Sequence, residues 1–219
     1  MNAELIRQIS VWAVPVLIAV IFHEVAHGWV AFRLGDPTAA RMGRLTLNPL
    51  SHIDLFGTVL VPLFLILFRA PFLFGYAKPV PVNFYNLRHP KRDMVWVALA
   101  GPATNILLAA LSVYFLKFID IMGGSFPTLL STPLVLMAEK SLQINVALAA
   151  FNLLPLPPLD GGRVLVGLLP QPYSSIVARI ERYGFIIIII LLMTHTLDVF
   201  LGPMFDFVVR LLMVLGGEW

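Results

Sequence analysis

An all-α polytopic membrane protein is the fold class this sequence predicts, and three observations carry it. The chain of 219 residues is 59% apolar and 12% charged, where soluble domains are about 25% charged. Its mean hydropathy is +0.89. Its apolar residues gather into runs that match the ~20 residues a helix needs to cross a bilayer, and these runs fill nearly all of it. A single membrane domain over residues 1–219 is expected, with a core at about 9–165 and a closing helix pair at about 173–215.

The first span is expected at Ile9–Phe32 and the second at Met94–Ile119, with Ala100-Gly101-Pro102-Ala103-Thr104-Asn105 in its first half. A third is expected at Ser141–Leu159, ending where Pro155, Pro157 and Pro158 must break the helix. Tyr183–Leu197, which holds the isoleucine run Ile186–Ile190, and Val199–Leu215 read as the closing pair.

Between the first span and the Gly101-Pro102 span lies Phe56–Phe74, an apolar stretch interrupted by Pro62 and followed by Gly75-Tyr76-Ala77-Lys78-Pro79-Val80-Pro81-Val82-Asn83. The prolines of that tail suit an extended edge strand or hairpin. Charge decides how the stretch is read. Arg33, Arg41, Arg44, Arg69, Lys78, Arg88, Lys91 and Arg92 precede the second span, and Arg163, Arg179 and Arg182 follow the third. Both basic regions lie in the cytosol if Phe56–Phe74 enters and leaves on one side. The expectation is five full spans plus a re-entrant, β-hairpin-like element, or six spans if that element crosses. Non-helical backbone is tolerated at membrane depth where protein buries it or a wet cavity receives it.

Composition also excludes. There is no cysteine, so thiolate ligands and disulfides are ruled out and any metal is held by His and carboxylate. A net charge of +3, without a basic patch interleaved with aromatics, gives no reason to expect nucleic acid. A cleaved signal peptide is not expected, because the first apolar run carries polar chemistry and no small-residue cleavage site follows it. The absence of an internal repeat weakens a transporter reading. A multi-pass protein of the cell membrane, with lipid as its surroundings, is the expected location. The oligomeric state is left open.

The polar chemistry is His23-Glu24-Val25-Ala26-His27 inside the first span. On a helix, His23 and His27 stand one turn apart on one face, the zinc-site spacing with a Glu after the first ligand. A catalytic zinc usually takes three protein ligands, and Asp160, His52, Asp54 and His195 are candidates for the third. Asp160 is the best placed, at a broken helix end followed by Gly161-Gly162; it could equally cap the helix that starts there. His52 and Asp54 read more simply as loop hydrogen bonding and capping, and His195 as an interface residue. Glu24 points about 100° round the helix from His23, within reach of a water on the metal, so it is the natural general base. Asn152 could bind a substrate amide or an oxyanion, or join helices; Asn105 and Asn145 fit the second role better. Gly101-Pro102-Ala103 gives a small surface suited to lie against the metal helix.

At these residues the chain resembles the site-2 protease family of intramembrane zinc metalloproteases. The matching parts are His23–His27, Ala100–Asn105, and Phe151-Asn152-Leu153-Leu154-Pro155 leading to Leu159-Asp160-Gly161-Gly162-Arg163. Together they run through about three quarters of the chain. The resemblance implies that His23, His27 and Asp160 bind one Zn2+, that Glu24 is the catalytic acid and base, and that Asn152 contacts substrate. The family's frequent Asn-Pro-Asp-Gly signature stands here as Pro158-Leu159-Asp160-Gly161, with the Asp-Gly retained. Leu45–Thr58 and Gly75–Asn83 look like the compact bacterial and archaeal branch without a PDZ domain, in which Gly75, Tyr76, Ala77, Lys78, Pro79 and Val80 would present an edge to substrate. The expected activity is hydrolysis of peptide bonds within or near transmembrane segments of other membrane proteins. The alternative is a membrane metal-binding protein or transporter without hydrolysis. Against it stands Glu24, a carboxylate beside the ligands that a transport site has little use for.

Overall fold

The computed structural model describes residues 3–68, 75–122 and 127–217, and among them it is all-helical. The elements in order are α1 (Ala3–Arg33), α2 (Thr38–Arg41), a 3-10 turn (Pro49–His52), a π-helical turn (Leu55–Leu60) running into α3 (Val61–Leu67), a 3-10 turn (Phe84–Asn86), α4 (Pro90–Met122), α5 (Thr128–Asn152), α6 (Asp160–Leu168), α7 (Tyr173–Met193) and α8 (Thr196–Gly216).

Among the described residues, four helical segments are long and apolar enough to cross a membrane: Ser10–Arg33, Pro90–Met122, Ser131–Asn152 and Thr196–Gly216; five to six spans were expected. The Tyr183–Leu197 run belongs to α7, whose first half carries Arg179, Glu181 and Arg182 and which ends at Met193. The third span also moves. It starts well before Ser141 and closes at Asn152, not Leu159. Glu139-Lys140 lies inside this helix, and the Lys140 ammonium lies over the Trp12 ring at 4.8 Å and reaches Gln143 Oε1 at 3.1 Å. Beyond Asn152 the prolines take the chain out of the helix, as expected.

The Phe56–Phe74 element is a short helical segment as far as Leu67; residues 69–74, where its return was expected, lie outside the described residues. No strand ladder forms at Gly75–Asn83 among the described residues, which corrects the hairpin reading. The segment is a non-helical strap. Pro79 and Pro81 have no N–H to give a ladder, and the strap is held from helices and loops instead. Tyr76 N–H donates to Gly57 O (3.1 Å) and Lys78 N–H to His52 O (2.9 Å), while Arg44 donates to Lys78 O (3.0 Å).

Three helices form the bundle core. Ala109 and Val113 of α4 pack with Leu142 and Val146 of α5 and Leu212 of α8. A second cluster joins Ala31 of α1, Val97 of α4 and Leu87 at the end of the strap region. Helix α7 closes on the proline loop at Gly184. A Cβ there would lie 2.0 Å from the Pro157 carbonyl oxygen, so only glycine permits the approach.

Asp36 ties the strap's far end to the turn after α1. Its carboxylate accepts from Asn83 N–H (2.7 Å), Asn86 Nδ2 (2.9 Å), Thr38 N–H (3.1 Å) and Thr38 Oγ1 (2.5 Å). Burial would raise its pKa, but these hydrogen bonds outweigh burial and hold it below the ordinary carboxylate value.

Two expectations follow from the packing. Gly184→Val should lower stability by about 1–3 kcal/mol, the usual cost of overpacking, read as a lower thermal midpoint in detergent. Because Asp36 is depressed in the fold, its stabilisation is complete above the unfolded carboxylate value near ~4. It is lost as pH falls through the lower folded value. Protection of the Asn83–Asn86 amides, measured against their intrinsic exchange rates, should therefore fall in acid, and Asp36→Asn should flatten that dependence.

Candidate metal centre

Helix α1 turns His23 and His27 toward α4, and the short helix α6 brings Asp160 to them from the far end of the proline loop. His23 Nε2 and His27 Nε2 are 3.0 Å apart, and Asp160 Oδ2 is 3.2 Å from each. All three residues are buried. The three donor atoms make a nearly equilateral triangle in the centre of an apolar bundle.

The ring tautomers follow from their outer partners. Asn105 Nδ2 donates to Ala19 O (3.2 Å) and Asn145 Oδ1 (2.8 Å), which leaves its Oδ1 facing His23 Nδ1 at 2.5 Å. An amide oxygen only accepts, so His23 carries its proton on Nδ1. His27 Nδ1 likewise faces the Val97 carbonyl at 2.6 Å. Each ring then presents an unprotonated Nε2 to the centre. Asp160 Oδ2 is buried there without a hydrogen-bond partner.

Two imidazole lone pairs and a buried carboxylate oxygen repel one another unless a cation sits between them. The group could hold a metal ion on geometric grounds. Tetrahedral zinc with bonds of about 2.0–2.2 Å puts neighbouring donors about 3.3–3.5 Å apart, close to what the three atoms already show. The space is kept by Gly101, where a Cβ would lie 2.4 Å from His27 Nε2 and 2.6 Å from His23 Nε2. The small Gly101-Pro102-Ala103 surface expected against the metal helix is therefore the surface that leaves the donors clear.

The donors open on a cavity of about 550 Å³, lined also by Glu24, Tyr76, Asn152, Arg163 and Phe185. Glu24 is held at its edge: its Oε2 accepts from the Val80 N–H of the strap at 2.8 Å. Asn152 donates to Leu148 O one turn back (3.0 Å) and lines the cavity. Gly75, Tyr76, Ala77, Pro79 and Val80 line the cavity wall; Lys78 does not.

The other candidates are elsewhere. His52 is buried with Nε2 on Thr46 O (2.8 Å). Asp54 caps the π-helical turn, accepting from Phe56 N–H (3.0 Å) and Gly57 N–H (2.7 Å). His195 is exposed and pairs with Asp198 at 2.9 Å. His52 and Asp54 thus have the loop and capping roles expected for them, whereas His195, expected at an interface or against a neighbour, pairs with a residue of its own helix start. Asn105 was read as a helix–helix residue. It is one, through Asn145, but it also fixes the tautomer of His23. Its spacing offered a signal: Val97, Gly101 and Asn105 recur every fourth residue, so one face of α4 meets both histidines.

Comparison with known proteins agrees with this site. The family model described as "Peptidase family M50" matches residues 119–195, which contain Asn152 and Asp160. The Bacillus subtilis protein named "Putative zinc metalloprotease YwhC" is 38% identical over 193 residues, which is 88% of this chain and 84% of that protein. The chain belongs to peptidase family M50. This is the site-2 protease family that its motifs resemble. "Putative zinc metalloprotease Rip2" of Mycolicibacterium smegmatis is 28% identical over 203 residues, 90% of this chain and 74% of that protein. "Zinc metalloprotease MJ0392" of Methanocaldococcus jannaschii is 22% identical over 166 residues, 74% of this chain and 36% of that protein. No solved structure matches.

The outer partners of the ligands give a direct test. Asn105→Leu should lower zinc affinity by about 10–100-fold, the usual effect of losing such a partner. Competition with a chromogenic chelator reads it, and an unchanged helical circular dichroism spectrum separates it from unfolding.

Proposed function

We propose that this M50 peptidase is an intramembrane zinc endopeptidase that cuts peptide bonds within or near transmembrane segments of other membrane proteins. One observation carries the reading: His23, His27 and Asp160 converge beside Glu24, in a cavity among helices of membrane-spanning length. His23, His27 and Asp160 hold the zinc. The donor set is the hard-and-borderline nitrogen and oxygen kind that zinc accepts, and the chain has no thiolate to offer a softer metal.

Zinc, when bound, supplies Lewis-acid polarisation to the scissile carbonyl and the attacking water. The chain does the rest. Glu24 takes the proton of the attacking water and returns it to the leaving amide nitrogen. The Val80 N–H on Oε2 orients the carboxylate and leaves Oε1 for the proton. Asn152 turns its free amide hydrogen toward the substrate carbonyl, where negative charge develops.

A helical substrate hides its carbonyls in backbone hydrogen bonds, so it must unwind before it is cut. The Gly75–Val80 strap is suited to hold the unwound stretch by strand addition. Tyr76, Lys78 and Val80 turn their N–H groups inward to Gly57, His52 and Glu24. In an extended chain that directs the backbone groups of Ala77 to the opposite edge.

We place the protein in the cell membrane as a multi-pass protein, with the basic segments 33–93 and 160–182 on the cytosolic side. The excess of Arg and Lys there supports that orientation.

Glu24→Gln should keep its zinc and lose cleavage of a model transmembrane substrate by about 10²–10⁴-fold, measured in proteoliposomes beside a metal assay. Near-normal, chelator-sensitive cleavage by that variant would overturn the role of Glu24.

A further inference from the structure

The active site leaves one charged pair unexplained. Asp206 is the central residue of α8 and Arg210 stands one turn beyond it. Both are exposed, although α8 is the most apolar of the spanning segments and the least buried. Asp206 lies about 15 Å from either end of the helix, too deep for its short side chain to reach water at the membrane surface. Charged groups at that depth normally face protein or a wet cavity. Here they share an outward stripe with Val199, Gly202, Pro203 and Val214, on the side of α8 away from Leu212, Val208 and Val209, which pack against α4 and α5. No ion pair joins the two charges among the described residues. Even joined to each other, they would leave most of the five guanidinium donors facing hydrocarbon.

We propose that this stripe of α8 is an interface with a second copy of the same chain. The face carries an acid and a base one turn apart, so it complements itself. A two-fold axis along the membrane normal sets Asp206 of each copy beside Arg210 of the other, and the long arginine spans the one-turn difference in depth. Two buried ion pairs form and no charge is left over. A partner with a single charge would neutralise one group and strand the other. Gly202 stands one turn before Asp206, and a Cβ there would meet nothing within 4 Å. The backbone is open at the point where two helices must come close. The inference rests on α8 crossing the bilayer and is independent of the proteolytic reading.

The absence of native cysteine makes the test clean. Gly202→Cys is introduced into the full chain and oxidised in native membranes, with Leu111→Cys on the exposed side of α4 as control. The Gly202→Cys chain should form a disulfide-linked species with the mass of two copies, and the control should not. Asp206→Arg or Arg210→Asp added to Gly202→Cys should each lower the cross-linked fraction about tenfold, the scale of a polar contact between membrane helices. The double exchange should restore it. Zinc content checks that each variant is folded. No dimer above the control, cross-linking to a different protein, or a dimer indifferent to both charge changes would overturn the proposal.

Discussion

Every polar atom placed inside an apolar helix bundle must find its partner within the protein, since lipid offers none. That requirement organises this molecule around Asn105, which is fully buried. Its oxygen takes the His23 proton and its nitrogen serves Ala19 O and Asn145 Oδ1. Asn145 in turn donates to Ser141 O (2.8 Å), and Ser112 Oγ meets Ser141 Oγ at 2.8 Å. The chain of bonds runs from α1 through α4 to α5 and fixes their register. It also leaves His23 no freedom of tautomer. One network therefore both joins the helices and prepares the metal ligands.

The other side of the site is built differently. The strap Gly75–Asn83 has little regular structure to hold it, so it borrows partners along its length. Gly57, His52, Glu24 and Arg44 hold its body, and Asp36 anchors its far end. The contact at Val80 couples the strap to the Glu24 carboxylate. A change in how the strap lies would be felt at Glu24 without any movement of the zinc ligands. His23, His27 and Asp160 stand on helices, whereas the strap on the other side of the cavity is held by single hydrogen bonds along its length.

The same rule of polar satisfaction, applied to the outside of the bundle, singles out α8. Its inner face packs on α4 and α5, and at its last turn the Lys117 ammonium meets the Gly216 carbonyl. Its outer face carries an acid and a base one turn apart at membrane depth. The interior of the protein satisfies its polar groups through Asn105 and its partners, whereas the α8 stripe has no protein surface of its own to do so.

The sequence by itself determined the membrane class and the catalytic chemistry. Apolar runs of spanning length need no neighbour to be recognised, and the one-turn spacing of His23 and His27 is a property of a single helix. Asp160 was legible too, as a carboxylate at a broken helix end. Beyond these, local pattern was insufficient. The start of α5 lies well before Ser141, ahead of the charged Glu139-Lys140, so the apolar run alone did not mark it. The strap was legible as non-helical, but its partners are carbonyls and a carboxylate from other elements, so its pairing could not be read from its prolines. The outer partners of the histidines, Asn105 and the Val97 carbonyl, belong to a different helix from the histidines themselves. Ligand identity is a matter of side-chain chemistry at a spacing, which sequence records. Ligand protonation, the clearance kept by Gly101 and the hold on Glu24 depend on which helix faces which, and only the folded bundle decides that.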